Sequence, residues 1–158
     1  MEKALQQAKL AYRIDEVPIG AVIVCNGQII ARAHNKRENK QMAISHAEIE
    51  VIQKACRKKK SWRLDDCELY VTLEPCAMCA GAIMQARIKT VYFGARDPKG
   101  GSLVSSIQLY ENKGFNHYPT VVEGLLSDEC GAILTQYFKE KREFKKNLIA
   151  KTRNTDES

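Results

Sequence analysis

The spacing of apolar residues changes several times along the chain, and each change predicts a different element. Over residues 2–14 the apolar side chains recur at three- and four-residue steps, which predicts an amphipathic helix. Residues 17–35 contain two β-rich runs on either side of Asn26-Gly27, a dipeptide typical of hairpins because both residues tolerate positive φ. The chain is therefore expected to begin with a helix that is followed by a β-hairpin.

The later part of the chain alternates between helical and strand-like patterns. In chain order, the pattern predicts a helix over 45–58, a strand over 67–73, a helix starting with Pro75 in its first turn, a strand over 90–95, a short strand over 120–122 and a helix from about Ser127. Strands that alternate with helices after an opening hairpin indicate an α/β fold, in which a mixed sheet lies between helices.

The length and the distribution of apolar residues restrict the class of protein. The 158 residues are the size of one ordinary domain, and we expect a single domain over 1–150 with a disordered tail over 151–158. No apolar run approaches the roughly 18 residues that a membrane span needs, and the first residues lack the apolar core of a secretion signal. We therefore expect a cytoplasmic protein that does not contact the membrane.

The expected compartment determines how the cysteines are interpreted. The chain has six cysteines, at positions 25, 56, 67, 76, 79 and 130. Because the cytoplasm is reducing, we expect no disulfides. Cys25, Cys56, Cys67 and Cys130 lie on apolar faces of predicted elements and are interpreted as core residues. Only the pair at 76 and 79 has a spacing that calls for further chemistry.

This pair forms a possible metal site together with an upstream histidine. A Cys-x-x-Cys pair alone is found in redox enzymes and in metal sites alike. His46 adds an imidazole to the thiolates of Cys76 and Cys79, and three such ligands suit one zinc ion with an open fourth position, although iron or cobalt also fit them. Both cysteines follow a predicted helix start and are expected to ionise easily. Glu48, two residues beyond His46, is placed to carry protons.

At this point the sequence resembles a known family. His46-Ala47-Glu48 and Pro75-Cys76-Ala77-Met78-Cys79 are similar to the signature of the zinc-dependent cytidine and deoxycytidylate deaminase superfamily. Within it the chain most resembles the bacterial tRNA-specific adenosine deaminases. That likeness runs in order through EVPIGAVIV, AHNKRE, HAEI, LYVTLEPCAMCAGA, VYFGARD and EGLLSDEC.

The resemblance implies a fold, a reaction and a partner. The implied fold is cytidine deaminase-like, with three α/β/α layers and a central five-stranded mixed sheet. The implied reaction converts the wobble adenosine of a tRNA anticodon stem-loop to inosine, in a homodimer in which both subunits shape each site. The resemblance also assigns Asn35 and Asp97 as substrate contacts, whereas each residue by itself reads as an ordinary turn residue.

Two other functions remain open from the sequence. The first is a deaminase of a free nucleobase or nucleoside, such as cytosine or guanine. The second is a zinc-stabilised RNA-binding module without turnover, in which Glu48 is incidental.

The charge of the chain permits an RNA partner but does not show one. The chain carries 25 basic and 19 acidic residues, a net charge of +6, with basic runs at 57–60 and 139–146. In the closing helix Lys139, Arg142 and Lys146 lie opposite the apolar stripe. They form either a solvated flank or a set of contacts to RNA phosphates.

Overall fold

The computed structural model describes the backbone of residues 1–156 and the side chains of residues 1–154. Its helices and strands are α1 (Glu2–Arg13), β1 (Gly20–Cys25), β2 (Gln28–His34), α2 (Arg37–Lys40), α3 (Ala47–Lys59), β3 (Cys67–Leu73), α4 (Ala77–Gln85), β4 (Thr90–Ala95), β5 (Thr120–Glu123) and α5 (Ser127–Asp156). A 3₁₀ turn lies at Leu109–Glu111. Every helix and strand predicted from the sequence is present. The pattern missed the one-turn α2 and the 3₁₀ turn, which are too short to show a period.

The five strands form one mixed sheet in the order β2-β1-β3-β4-β5. Strand β1 pairs antiparallel with both β2 and β3, whereas β3, β4 and β5 are parallel to one another. Parallel neighbours need a long crossover, and α4 supplies the one between β3 and β4. The predicted five-stranded mixed sheet is confirmed.

Helices cover both faces of this sheet. Helix α3 packs on β1 and β2 and contacts α4, while α1 and α5 contact each other and pack on the strands from the opposite side. Strand β1 is buried along nearly its whole length, as expected for a strand covered on both faces. The predicted three-layer α/β/α architecture is confirmed.

Small residues let α1 approach the sheet closely. Ala4, Ala8 and Ala11 are completely buried. A Cβ atom added at Gly20 would lie 2.0 Å from the backbone oxygen of Ala4, so the helix backbone rests directly on the start of β1. This contact fixes the segment that follows α1, which carries Glu16 into the interior.

Two local predictions have different outcomes. Asn26 and Gly27 have φ values of 51° and 76°, so the predicted hairpin turn is confirmed. The start of α4 differs from the prediction. Cys76 is the N-cap residue with extended backbone, so Pro75 precedes the helix and does not occupy its first turn.

The expectation that the chain has no disulfide is wrong in this structure, because a disulfide joins Cys25 and Cys67. The antiparallel register of β1 and β3 places these residues directly opposite each other, with Cα atoms 4.4 Å apart. Cross-strand cysteines at that separation can bond without backbone movement. The expectation rested on the reducing compartment alone, whereas strand register brings the two cysteines together. Cys130 is buried as predicted, whereas Cys56 is only partly buried.

The carboxyl-terminal tail also differs from the prediction. Helix α5 continues to Asp156, so residues 151–156 are helical where disorder was expected, and residues 157–158 lie outside the described part. No glycine or proline occurs between residues 141 and 156 to end the helix. The exposed polar composition that suggested disorder is equally typical of a solvent-facing helix. Among the helices of the described residues, none is long and apolar enough to cross a bilayer.

The disulfide predicts the number of titratable thiols. Cys56, Cys76, Cys79 and Cys130 are free, so metal-free protein denatured without reductant should give four thiols per chain, and six after reduction. Thiol titration with a chromogenic disulfide measures this directly. A Cys25→Ser variant should give five thiols with and without reductant. Six thiols in unreduced wild-type protein would contradict the bond.

Candidate active site

Three soft ligands meet where two helices begin. His46 is the N-cap residue of α3, and Cys76 is the N-cap residue of α4. Cys79 lies in the first turn of α4 and is buried. The amino-terminal ends of both helices therefore lie beside the same group of side chains, where their dipoles favour negative charge on sulfur.

The ligand atoms have the separations that a tetrahedral metal centre needs. The Nδ1 atom of His46 lies 3.7 Å from Cys76 Sγ and 3.5 Å from Cys79 Sγ, and all three atoms lie within 4.8 Å of one another. Zn–S bonds of about 2.3 Å and Zn–N bonds of about 2.0 Å at tetrahedral angles separate nitrogen from sulfur by about 3.5 Å. These side chains therefore fit a zinc ion without rearrangement.

The two thiols differ in acidity. A hydrogen bond from the Cys79 thiol, with a further one from His46, lowers the pKa of Cys76 to about 4. The hydrogen bond to Cys76 and burial raise the pKa of Cys79. The expectation that both thiols ionise easily therefore holds for Cys76 but not for Cys79 in the absence of a cation, because the two sulfurs share one proton. A divalent cation bound between them would replace that proton.

Glu48 lies beside this group in the first turn of α3 and is only 4% exposed. Burial raises its pKa to about 6, against the opposing effects of a hydrogen bond with Cys79 and the charge of His46. A carboxyl with this pKa gains and loses a proton close to neutral pH, as a general acid and base must.

One cavity joins His46, a candidate metal ligand, to the predicted substrate contacts. Its volume is about 500 Å³, and its wall includes His46, Asn35 and Asp97. The structure thus brings together Asn35 from the segment after β2, His46 from the N-cap of α3 and Asp97 from the segment after β4. Phe138 of α5 lies in the same wall. Lys139, Arg142 and Lys146 are exposed on α5, and none of them belongs to the described lining of this cavity.

A buried carboxylate holds Asn35 in place. Glu16 is completely buried, and its Oε2 accepts a hydrogen bond from Asn35 Nδ2 at 3.2 Å. Its Oε1 accepts from the backbone and side-chain N–H groups of Asn39 at 2.6 and 2.8 Å. Glu16 therefore fixes the orientation of the Asn35 amide at the cavity wall, and leaves the amide oxygen of Asn35 able to accept a hydrogen bond.

A second buried carboxylate organises the segment that carries Asp97. Glu74 is 2% exposed, and its oxygens accept backbone N–H groups from Asp97, Leu103, Val104 and Ser105 at 2.9–3.2 Å. Burial alone would raise the pKa of Glu74, but hydrogen bonds from Ser105 and from the backbone outweigh burial and hold the pKa below its ordinary value. The loop from 97 to 105 is thus wrapped around one side chain.

The roles of Glu16 and Glu74 were not predicted from the sequence. Glu74 directly precedes Pro75-Cys76, and Glu16 begins the EVPIG run, so both lie in segments that resemble the family. From sequence alone a glutamate is expected to be exposed, because carboxylates are rarely buried without partners. Here those partners come from 19 to 31 residues away, and only the fold brings them close.

Another group of potential ligands lies at the far end of the sheet. Cys25, Asp66 and Cys67 present sulfur and oxygen atoms within 4.8 Å of one another. Both sulfurs belong to the disulfide, so neither is available as a thiolate. This group therefore differs from the one around His46.

Comparison with known proteins identifies the family. A family model described as MafB19-like deaminase matches residues 1–142. The tRNA-specific adenosine deaminase of Bacillus subtilis (strain 168) is 52% identical over 146 residues, which cover 92% of this chain and 91% of that protein. The chain belongs to the tRNA-specific adenosine deaminase family. The family member of Agrobacterium fabrum is 48% identical over 142 residues, covering 90% of this chain and 93% of that protein.

A solved structure of a deaminase in this family supports the fold. It comes from a study of A-to-I editing by tRNA:A34 deaminases at the wobble position of transfer RNA. It matches with a TM-score of 0.83 at 47% sequence identity, covering 85% of this chain and 97% of that chain. The cytidine deaminase-like fold that the sequence resemblance implied is confirmed.

The hydrogen bonds to Glu74 predict the effect of replacing it with glutamine. Both oxygens of Glu74 accept backbone N–H groups, but an amide has only one acceptor oxygen. In Glu74→Gln the side-chain N–H₂ group must therefore face backbone donors whose hydrogen bonds it cannot accept. We expect a loss of about 2 kcal/mol of unfolding free energy, as for a buried donor left unsatisfied, together with faster amide hydrogen exchange over residues 97–105. The exposed Glu111→Gln is the matched control. Unchanged exchange in the 97–105 loop of the Glu74 variant would show that this carboxylate does not hold the loop.

Proposed function

We propose that this protein converts the wobble adenosine of a tRNA anticodon to inosine by zinc-dependent hydrolytic deamination. The observation that supports this most strongly is the group formed by His46, Cys76 and Cys79, with Glu48 beside it and with His46 in the wall of a cavity. Two thiolates and an imidazole leave one tetrahedral position open, which is typical of catalytic and not of structural zinc sites. The family relatives supply the class of substrate.

One zinc ion per chain is held by His46, Cys76 and Cys79 in this proposal. Bound zinc supplies Lewis acidity, which makes water acidic near neutral pH. Glu48 accepts a proton from the attacking water and delivers a proton to the adenine ring nitrogen as C6 is attacked, and then assists the departure of ammonia. The raised pKa of Glu48 suits both steps, since the same carboxyl must accept and then donate.

Asn35 and Asp97 contact the substrate from two sides of the cavity. Asn35 offers its amide oxygen, because its amide nitrogen is engaged by Glu16. Asp97 is held at the wall by the backbone N–H groups of Lys99 and Gly100, at 3.2 and 3.1 Å. Both side chains are therefore ordered before substrate arrives, which reduces the entropy lost on binding. An unpaired anticodon base needs little energy to enter such a cavity.

The closing helix provides phosphate contacts. Lys139, Arg142 and Lys146 are exposed, and they follow Phe138, which lies in the cavity wall. An RNA loop seated in the cavity would bring its backbone towards this part of α5. Cations that neutralise phosphates contribute affinity through counterion release.

The protein acts as a homodimer. Met42, Ile44 and Met78 are large apolar side chains, each at least one third exposed, and they lie close in sequence to the proposed zinc ligands. An exposed apolar group beside a site suits contact with a second copy of the chain.

A comparison of substrates tests the proposed reaction. The protein should release ammonia from, and form inosine in, a tRNA with adenosine at the wobble position. A tRNA with guanosine there should give none, and free adenosine, cytosine and guanine at equal concentration should react at least about 10²-fold more slowly, because they lack the binding energy of the RNA. Faster reaction of a free base would make the protein a base deaminase. Tight tRNA binding with no ammonia from any substrate would make it a non-catalytic module.

Two variants separate metal binding from proton transfer. Cys79→Ser should reduce the zinc content well below one per chain, because it removes one of only three protein ligands. Glu48→Gln should retain zinc, while turnover falls by roughly 10²-fold to 10⁴-fold, because an amide cannot carry protons. Elemental analysis and single-turnover kinetics measure the two effects.

Each variant is the control for the other. Full zinc retention in Cys79→Ser would remove Cys79 from the ligand set. Near-normal turnover in Glu48→Gln would remove Glu48 from the mechanism.

A further inference from the structure

A basic cluster surrounds an exposed tryptophan at the carboxyl ends of α3 and α4. Trp62 is 59% exposed, and the guanidinium carbons of Arg63 and Arg87 lie 5.2 and 5.8 Å from its ring centroid. The basic run 57–60 ends α3 immediately before this tryptophan. We call Arg57, Lys58, Lys59, Lys60, Trp62, Arg63 and Arg87 the Trp62 cluster.

The positive charge of the Trp62 cluster exceeds what local structure requires. Its six cations face two aspartates, since Lys59 pairs with Asp66 and Arg63 pairs with Asp65. Cations are favoured at helix carboxyl ends, but each helix end carries only about half a negative charge. Two helix ends therefore account for about one of the four remaining positive charges. Arg57, Lys58, Lys60 and Arg87 form no ion pair with another described residue.

The tryptophan keeps the charges of Arg63 and Arg87 close together. Two neighbouring guanidinium groups repel each other, and an aromatic ring offsets this repulsion because its face attracts cations. The contact of both arginines with Trp62 also links the carboxyl ends of α3 and α4. Next to it, the N–H of Leu64 donates a hydrogen bond to Ala86 O at 2.8 Å. Arg63 donates its Nε and Nη2 to Asp65 at 2.9 and 3.1 Å, so Arg87 is the guanidinium of this pair that has no ion pair with another described residue, and its planar donors suit phosphate.

The position of the Trp62 cluster separates it from the chemistry. Helix α3 runs from Ala47 to Lys59, and at 1.5 Å per residue its length is about 20 Å. No residue of the cluster lines the cavity among the described lining residues. A contact this far from the reacting base cannot act on it, but it remains within reach of the backbone of the same RNA.

We propose that the Trp62 cluster binds phosphates of the tRNA backbone outside the anticodon loop, as a second contact that adds affinity without reading sequence. This inference rests on the proposed function for the identity of the RNA. Phosphate contacts position an RNA and carry no base information. The cluster therefore raises the affinity for tRNA and leaves the rate of the bound complex unchanged.

Two cluster positions allow charge to be removed without harming the fold. Lys60 and Arg87 have φ values of 53° and 62°, in the left-handed region that glycine adopts without strain. The double variant Lys60→Gly with Arg87→Gly therefore removes two cations, and relief of the backbone offsets the loss of the Arg87 contacts with Trp62 and with Met84 O. The double variant Lys3→Ala with Lys9→Ala removes the same charge from exposed positions of α1, which packs on the opposite face of the sheet.

The experiment measures binding of full-length tRNA as a function of salt, with zinc content, melting temperature and the single-turnover rate at saturating protein. The glycine variant should lose affinity on the order of tenfold near 0.1 M salt. The slope of log affinity against log salt should flatten by roughly 1.5 units, at about 0.7 to 0.9 per phosphate contact. Zinc content, melting temperature and the saturating rate should stay at wild-type values, and the α1 variant should bind like wild type.

Each other outcome overturns the proposal. An unchanged slope with a lowered melting temperature would assign these cations to stabilising the helix ends. Equal flattening in both double variants would indicate net charge and not this cluster. Loss of binding to anionic phosphatidylserine vesicles with tRNA binding intact would indicate a membrane surface. Since the binding measurement needs no turnover, it reports on the cluster even if the protein deaminates no tRNA.

Discussion

The pairing of β3 with strands on both sides is the interaction on which the rest of the molecule depends. β3 is antiparallel to β1 and parallel to β4, so it joins the opening hairpin to the parallel half of the sheet. Its carboxyl end leads directly into Glu74, Pro75 and Cys76, which places a loop anchor and a proposed zinc ligand within three residues. Its amino end carries Cys67, which the same register bonds to Cys25.

Three buried carboxylates surround the candidate site, and their hydrogen bonds distinguish their roles. Glu16 and Glu74 are both saturated by N–H donors, and Glu74 is held in its charged form. Their desolvation is offset by fixed bonds, so they orient Asn35 and the 97–105 loop. For Glu48 the effect of burial exceeds the opposing hydrogen bond with Cys79 and the charge of His46, and its pKa is raised to about 6. A carboxyl that is poorly stabilised as an anion is the one suited to moving protons.

Helices α3 and α4 carry candidate metal ligands at their amino ends and a cluster of cations at their carboxyl ends. Their amino ends lie at His46 and Cys76, where helix dipoles favour thiolate and hence a bound cation. Their carboxyl ends carry the Trp62 cluster, where the dipoles favour cations and hence a bound polyanion. The same pair of helices therefore supports the proposed chemistry at one end and the proposed RNA backbone contact at the other, about 20 Å away along α3 and about 14 Å away along α4.

The sequence by itself predicted the order and type of the long elements from local periodicity. Its resemblance to a known family, carried by His46-Ala47-Glu48 and by Pro75-Cys76-Ala77-Met78-Cys79, predicted the fold and the candidate ligands. Tertiary structure alone decided the Cys25–Cys67 bond, because strand register is a long-range property. It also decided the burial of Glu16 and Glu74, the position of Asn35 and Asp97 in the wall of one cavity, and the neighbouring guanidinium groups at Trp62. Each of these depends on partners distant in sequence, and no local pattern records which distant segments the sheet will bring together.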